Sequence, residues 1–172
     1  AVTSLNLADN PIGDDGATAL AGALRANTSL TALVLRANRV GDAGATALAD
    51  ALRRNATLRS LSLRSNELTE EGCAALAEAL ERNGALTALD LRKNFISGAH
   101  ETLDAVKRRL ALNRLGRLTR DLQLSGEGSL TALDLRGDAL PPEQRLGDEG
   151  ACALFRALRQ NCRLVSLRLW SN

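Results

Sequence analysis

The chain has 172 residues, 45 % apolar and only 2 % aromatic, with 22 Lys and Arg against 20 Asp and Glu. This length suits one domain, and a net charge of +2 gives no broad cationic field for nucleic acid. No apolar run nears the ~20 residues that span a bilayer, no signal-peptide pattern opens the chain, and Cys73, Cys152 and Cys162 are too scattered for a disulfide framework.

The first predicted strand carries Leu5 and Leu7 and ends at Asn10; a helix follows with Ala17, Leu20, Ala21 and Leu24 on one face. The pattern then returns. Leu30, Leu33, Leu35 and Asn38 spell a strand, and Ala45, Leu48, Ala49 and Leu52 a helix stripe. Leu58, Leu61, Leu63 and Asn66 precede the stripe Cys73, Leu76, Ala77, Leu80, and Leu86, Leu89, Leu91 and Asn94 open a fourth unit. The asparagines at 10, 38, 66 and 94 step by 28 residues. Two further copies, Leu130 to Asp138 and Leu164 to Asn172, make six strand units, the stripe Ala151, Leu154, Phe155, Leu158 lying between them. A fixed period of this size predicts a solenoid whose units rest on their neighbours.

Acidic residues open the helices (Asp14, Asp15, Asp42, Glu70, Glu71) and basic ones close them (Arg25, Arg53, Arg54, Arg82), the order that suits the helix dipole. A second asparagine column, at 27, 55, 83 and 161, is expected to close each helix C-terminally. That role also accounts for the glycosylation-like triplets at Asn27 and Asn55. Parallel strands stack about 4.8 Å apart and helices about 8–10 Å apart, so the two layers coexist only in a curved stack. The expected fold is an α/β, right-handed αβ horseshoe solenoid, with a parallel concave sheet and helices on the convex side.

The phrase L-x-x-L-x-L-x-x-N with strand, long helix and 28-residue period resembles the ribonuclease-inhibitor subfamily of leucine-rich repeats. The resemblance covers the chain apart from two insertions, and it implies a binding scaffold, not a particular partner. Ran GTPase-activating proteins and the sensor regions of NOD-like receptors share the pattern. They supply the alternatives to a non-catalytic protein-interaction module.

The period breaks twice. Asn94 to Asp138 is 44 residues, sixteen more than one unit, and the excess is assigned to about 114–129. Leu115, Leu118 and Leu122 are spaced to prolong a helix, with Arg114, Arg117 and Arg120 on one flank. Gly116 and the 125–128 stretch predict a break and a loop. Lys107 stands where other units bury Ala, so this helix must be rotated or its lysine must reach out. The second insertion, 141–146, contains Pro141 and Pro142 and predicts a stiff surface loop. Residues 1–172 are read as a single repeat domain. With no Met, a strand at its start and an asparagine turn at its end, the chain is expected to be a piece of a longer protein.

Strand alternation sends one set of side chains to the concave face. Its third column reads Ala8, Arg36, Arg64, Arg92, Arg136, Trp170, and its middle column ends in Arg168. An arginine wall offers planar forks for acidic groups; with Arg114, Arg117 and Arg120 it forms the expected partner-binding surface. His100 is the one histidine, and no nucleophile, phosphate-loop or metal-ligand pattern occurs. The expectation is therefore no enzyme, no cofactor, no metal, no nucleic acid and no membrane insertion. The reading left is a cytoplasmic module within a multi-protein assembly, binding a protein with an acidic surface.

Overall fold

A computed structural model describes the main chain of residues 1–124, 132–134 and 166–168, and the side chains of residues 1–117. Strands and helices alternate: β1 (Ser4–Asn6), α1 (Gly13–Ala26), β2 (Ala32–Val34), α2 (Asp42–Leu52), β3 (Ser60–Ser62), α3 (Glu70–Arg82), β4 (Ala88–Asp90) and α4 (His100–Leu124), then β5 (Ala132–Asp134) and β6 (Ser166–Arg168). Two compact units result, Ala1–Val106 and Lys107–Asn172. In the first, β1 to β4 form one parallel sheet in chain order. Its register equals the sequence period, Leu5 opposite Leu33 and Leu33 opposite Leu61 opposite Leu89. In the second, β5 and β6 pair in parallel, with Leu133 opposite Leu167 and Asp134 opposite Arg168. This is the α/β solenoid of a leucine-rich repeat protein.

The leucines build the core as their spacing predicts. Leu33, Leu35, Leu61 and Leu63 are buried under the sheet, and Ala45, Leu48, Ala49 and Leu52 are buried along α2. Each buried Leu contributes roughly 1.5–3 kcal/mol relative to exposure. Helix α1 packs on α2, and α2 on α3. Leu20 and Ala77 are only half-buried, whereas Gly72 and Ala79 complete the α3 face.

Each strand of the first unit leaves the sheet through a residue in the left-handed region: Asp9, Ala37, Ser65 and Lys93 have φ of 59, 54, 56 and 59°. None is glycine, so each turn is strained, at a cost of order 1–2 kcal/mol. The asparagine that follows holds it. The Asn66 amide donates to the Leu35 carbonyl (2.8 Å) and the Leu63 carbonyl (3.0 Å), and its Oδ1 accepts from the N–H groups of Asn38 (2.9 Å) and Val40 (3.0 Å). Asn94 repeats this with the carbonyls of Leu63 and Leu91 and the N–H of Leu68. One rung's asparagine thus ties two rungs. At the first rung the pattern lapses: the buried Oδ1 of Asn38 finds no donor among the described residues, and the Gly13 N–H bonds the Asn38 carbonyl instead. Pro11 brings no N–H of its own to that turn.

The second asparagine column does more than the sequence suggested. The Asn27 and Asn83 main-chain N–H groups close their own helices on Ala23 and Ala79. Their neighbours' side chains close the preceding ones: Asn55 Nδ2 donates to the Leu24 carbonyl (2.8 Å), and Asn83 Nδ2 to that of Leu52 (2.6 Å). Asn55 is buried, with both amide hydrogens on main-chain carbonyls, which fits structure and not glycosylation.

The acids work across rungs too. Asp14 Oδ1 accepts from Gly41 and Gly44, the N-terminal N–H groups of α2. Asp42 does the same for α3, with Oδ1 accepting from Thr69 and Gly72 and Oδ2 from the Thr69 hydroxyl. A Cβ at Gly44 would lie 2.6 Å from Asp14 Oδ1, and one at Gly72 would strike Asp42 Oδ1, so only glycine admits the carboxylate. Burial pushes the Asp42 carboxyl up, but the hydrogen bonds from the Thr69 hydroxyl and from the Thr69 and Gly72 N–H groups outweigh it and leave the group below its ordinary 3.8. A lowered folded value means that the carboxylate stabilises the fold fully above the ordinary value and ceases to do so as pH falls through the folded one. Asp42→Ala should therefore cost about 1 kcal/mol at neutral pH. Urea titrations of both proteins should show this gap closing as the pH is lowered below 3.8.

Helix α4 continues without a break through Gly116 to Leu124, contrary to the expected interruption. A single interior glycine costs about 1 kcal/mol relative to Ala, less than ending a helix whose carbonyls would then need new partners. The prolonged helix over Leu115, Leu118 and Leu122 is observed. Lys107 is exposed while Val106 and Leu110, in the places of Leu48 and Leu52 of α2, are buried, so the stripe is kept on those two residues and the lysine reaches out of it. The 125–129 part of the first insertion, the Pro loop at 141–146, Asp138, Cys152 and Cys162 lie outside the described residues. Cys73 is free and buried, and burial, aided by Glu70, raises its thiol above the usual value.

Candidate functional site

The sheet of the first unit buries one face and leaves the other accessible. On the accessible face the first column is small (Ser4, Ala32, Ser60, Ala88), and the third carries Arg36, Arg64 and Arg92. Arg36 Nη2 reaches Asp9 Oδ2 on the preceding rung at 2.6 Å. Arg92 forms a two-point fork on Asp90, with Nε at 2.9 Å from Oδ1 and Nη2 at 2.7 Å from Oδ2. The Arg92 hydrogen bond is the chief reason the Asp90 carboxyl lies below its ordinary range; burial opposes it, and the charge of Arg64 adds to the lowering. Arg64 makes no side-chain ion pair among the described residues. The wall is therefore alternately paired and free, with Arg64 as the open donor and Asp9 and Asp90 interleaved. Such pairs hold the guanidinium planes in place more than they stabilise the fold.

The other expected contact residues are placed unevenly. Arg117 is exposed on α4, and Arg114 is half-buried and already engaged. Arg120 is located by its main chain in α4, and Arg168 by its main chain in β6 beside Asp134. Arg136 and Trp170 lie outside the described residues. Among the described residues no three His, Cys, Asp or Glu side chains converge as metal ligands would.

Two surface features were not singled out from sequence. Phe95 is 69 % exposed, directly after the Asn94 turn, where the other units carry Pro11, Arg39 and Glu67. An exposed aromatic beside a rigid turn suits an interface anchor; misalignment with the other units at that one position was the available signal. The second feature is a cleft of about 370 Å³ at the C-terminal ends of α1 to α3, lined by Arg25, Asp50, Arg53, Arg54 and Arg82. The 28-residue step from Arg25 to Arg53 and from Arg54 to Arg82 is visible in the sequence, but helix-end bases are ordinarily explained by the dipole.

No described helix is long and apolar enough to cross a membrane. No curated protein matches the chain. Among solved structures, the chain is similar to one described as "Leiomodin-1 Actin-Binding Site 2 (ABS2)", with 24 % identity, a TM-score of 0.57, and coverage of 70 % of this chain and 86 % of that one. It also resembles a tropomodulin C-terminal domain from Caenorhabditis elegans, with 18 % identity, a TM-score of 0.49, and coverage of 69 % and 89 %. At 24 % identity the first of these likenesses speaks for the fold alone. The family model "TMOD/LMOD Leucine-rich domain" matches residues 1–125, through β1 to β4 and all of α4. It gives the repeat a finer place than the ribonuclease-inhibitor resemblance did and lends nothing to a GTPase-activating role. The chain belongs to the TMOD/LMOD leucine-rich domain family.

Proposed function

We propose that this chain is a non-catalytic actin-binding module that works inside the cell as part of a larger assembly. The observation that carries the reading is the family match over residues 1–125, whose structural neighbour is described as an actin-binding site. The accessible sheet face supports it, because it presents fixed polar groups on a rigid ladder. Arg64 and Arg92 are the wall residues assigned to contact, and Phe95 and Arg117 flank them in sequence on the loop and helix that follow.

Co-sedimentation of the purified chain with actin filaments tests this directly. Binding should be measurable at low salt and should weaken roughly tenfold in the double variant Arg64→Ser, Arg92→Ser, whose unfolding curve stays close to the parent's. Equal binding by the variant removes the arginine wall from the interface, and no co-sedimentation of the parent removes actin as the partner.

A further inference from the structure

We propose that the cleft at the C-terminal rim of α1, α2 and α3 is a docking site for an acidic, carboxylate-rich segment of a protein partner. It is separate from the sheet face, and it stands or falls without the actin reading. Four arginines converge there, Arg25 from the last turn of α1, Arg53 and Arg54 from the end of α2, and Arg82 from the last turn of α3. The wall supplies one carboxylate, Asp50, and Arg53 already takes it, together with Glu78 at 3.2 Å. Arg25, Arg54 and Arg82 form no ion pair among the described residues.

The ordinary explanation for such arginines is that they satisfy the last carbonyls of their helices. Here that work is done by others. The Leu24 and Leu52 carbonyls accept from the Asn55 and Asn83 side chains, and those of Ala23, Ala49, Ala51 and Ala79 accept from main-chain N–H groups. Three guanidinium forks, each with five N–H donors, are left around one recess without an ion pair among the described residues. An anion entering the recess would gain charge-assisted hydrogen bonds.

The setting selects the kind of anion. The whole chain carries only +2, so no extended field exists to hold a nucleic-acid backbone, whose affinity grows with the number of phosphates neutralised. Asp50 and Glu78 stand at or beside the rim. They disfavour a compact dianion such as phosphate more than single charges spaced along a peptide.

Fluorescence anisotropy of a fluorescein-labelled hexaglutamate peptide on the full chain provides the test, at an ionic strength of about 50 mM, where exposed charges are weakly screened. The peptide should bind. The affinity should fall roughly tenfold or more in the triple variant Arg25→Ser, Arg54→Ser, Arg82→Ser and should stay unchanged in Arg64→Ser on the sheet face. The single variant Arg54→Glu should show a loss of the same sign, which keeps the test decisive if the triple variant fails to fold. The site is refuted by parent-like binding in these variants or by no binding to the parent. An oligothymidylate of equal charge binding more tightly than the peptide, or inorganic phosphate displacing it at equal concentration, would overturn the carboxylate assignment.

Discussion

Asn66→Ala should lower the unfolding free energy by about 3–5 kcal/mol, because it strips partners from several buried main-chain groups at once. The side chain satisfies the N–H groups of Asn38 and Val40 and the carbonyls of Leu35 and Leu63. Alanine supplies neither an acceptor nor a donor in its place. Each orphaned buried group costs about 1–3 kcal/mol, and partial rehydration keeps the sum below the simple total. The strained turn at Ser65, with φ of 56°, also loses its clamp. Asn10→Ala serves as the internal comparison. Asn10 is exposed and its amide reaches only the Leu7 and Ala8 carbonyls, which water can replace; its loss should stay under about 1 kcal/mol. Urea unfolding followed by circular dichroism measures both. Equal losses at the two positions would mean that the inter-rung bonds contribute nothing beyond the local turn.

Leu61→Ala is the second large effect, at roughly 2–5 kcal/mol. Leu61 is 1 % exposed and stands in register between Leu33 and Leu89 on the neighbouring rungs. Close packing on both sides restricts collapse around the missing atoms, so a cavity term adds to the lost transfer energy. Leu5 is half-buried on the edge rung and should cost less when cut to Ala. In a stack where each unit contacts only its neighbours, an interior defect weakens two interfaces and an edge defect one. The same urea titration distinguishes the positions, and a Leu5→Ala loss equal to that of Leu61→Ala would contradict this layering.

Much of this architecture can be read directly from the chain. The 28-residue step predicted the strand register, because Leu5, Leu33, Leu61 and Leu89 can pair in parallel only if each unit repeats the last. Alternation along Leu33 and Leu35 assigned the buried side, and the stripe Ala45, Leu48, Ala49, Leu52 assigned the helix face. The asparagine columns were visible as columns. Their targets were not: Asn55 closing the helix that ends near Leu24, or Asp42 capping the helix that begins near Glu70, joins residues about one period apart, and only stacking brings those together. The candidate site shows the same division. The arginine positions were legible, but the pairing of Arg36 with Asp9 and of Arg92 with Asp90 was not, nor was the freedom of Arg64 between them.

Apolar periodicity therefore determined by itself that the chain would form stacked strand-and-helix units, since burying one stripe per helix and one side per strand leaves no other arrangement for such a repeat. Tertiary structure decided which polar groups serve their own unit and which serve the next, and which arginines remain unpaired. The inter-rung bonds among them join groups 26 or more residues apart, and such distances exist only once neighbouring rungs have docked.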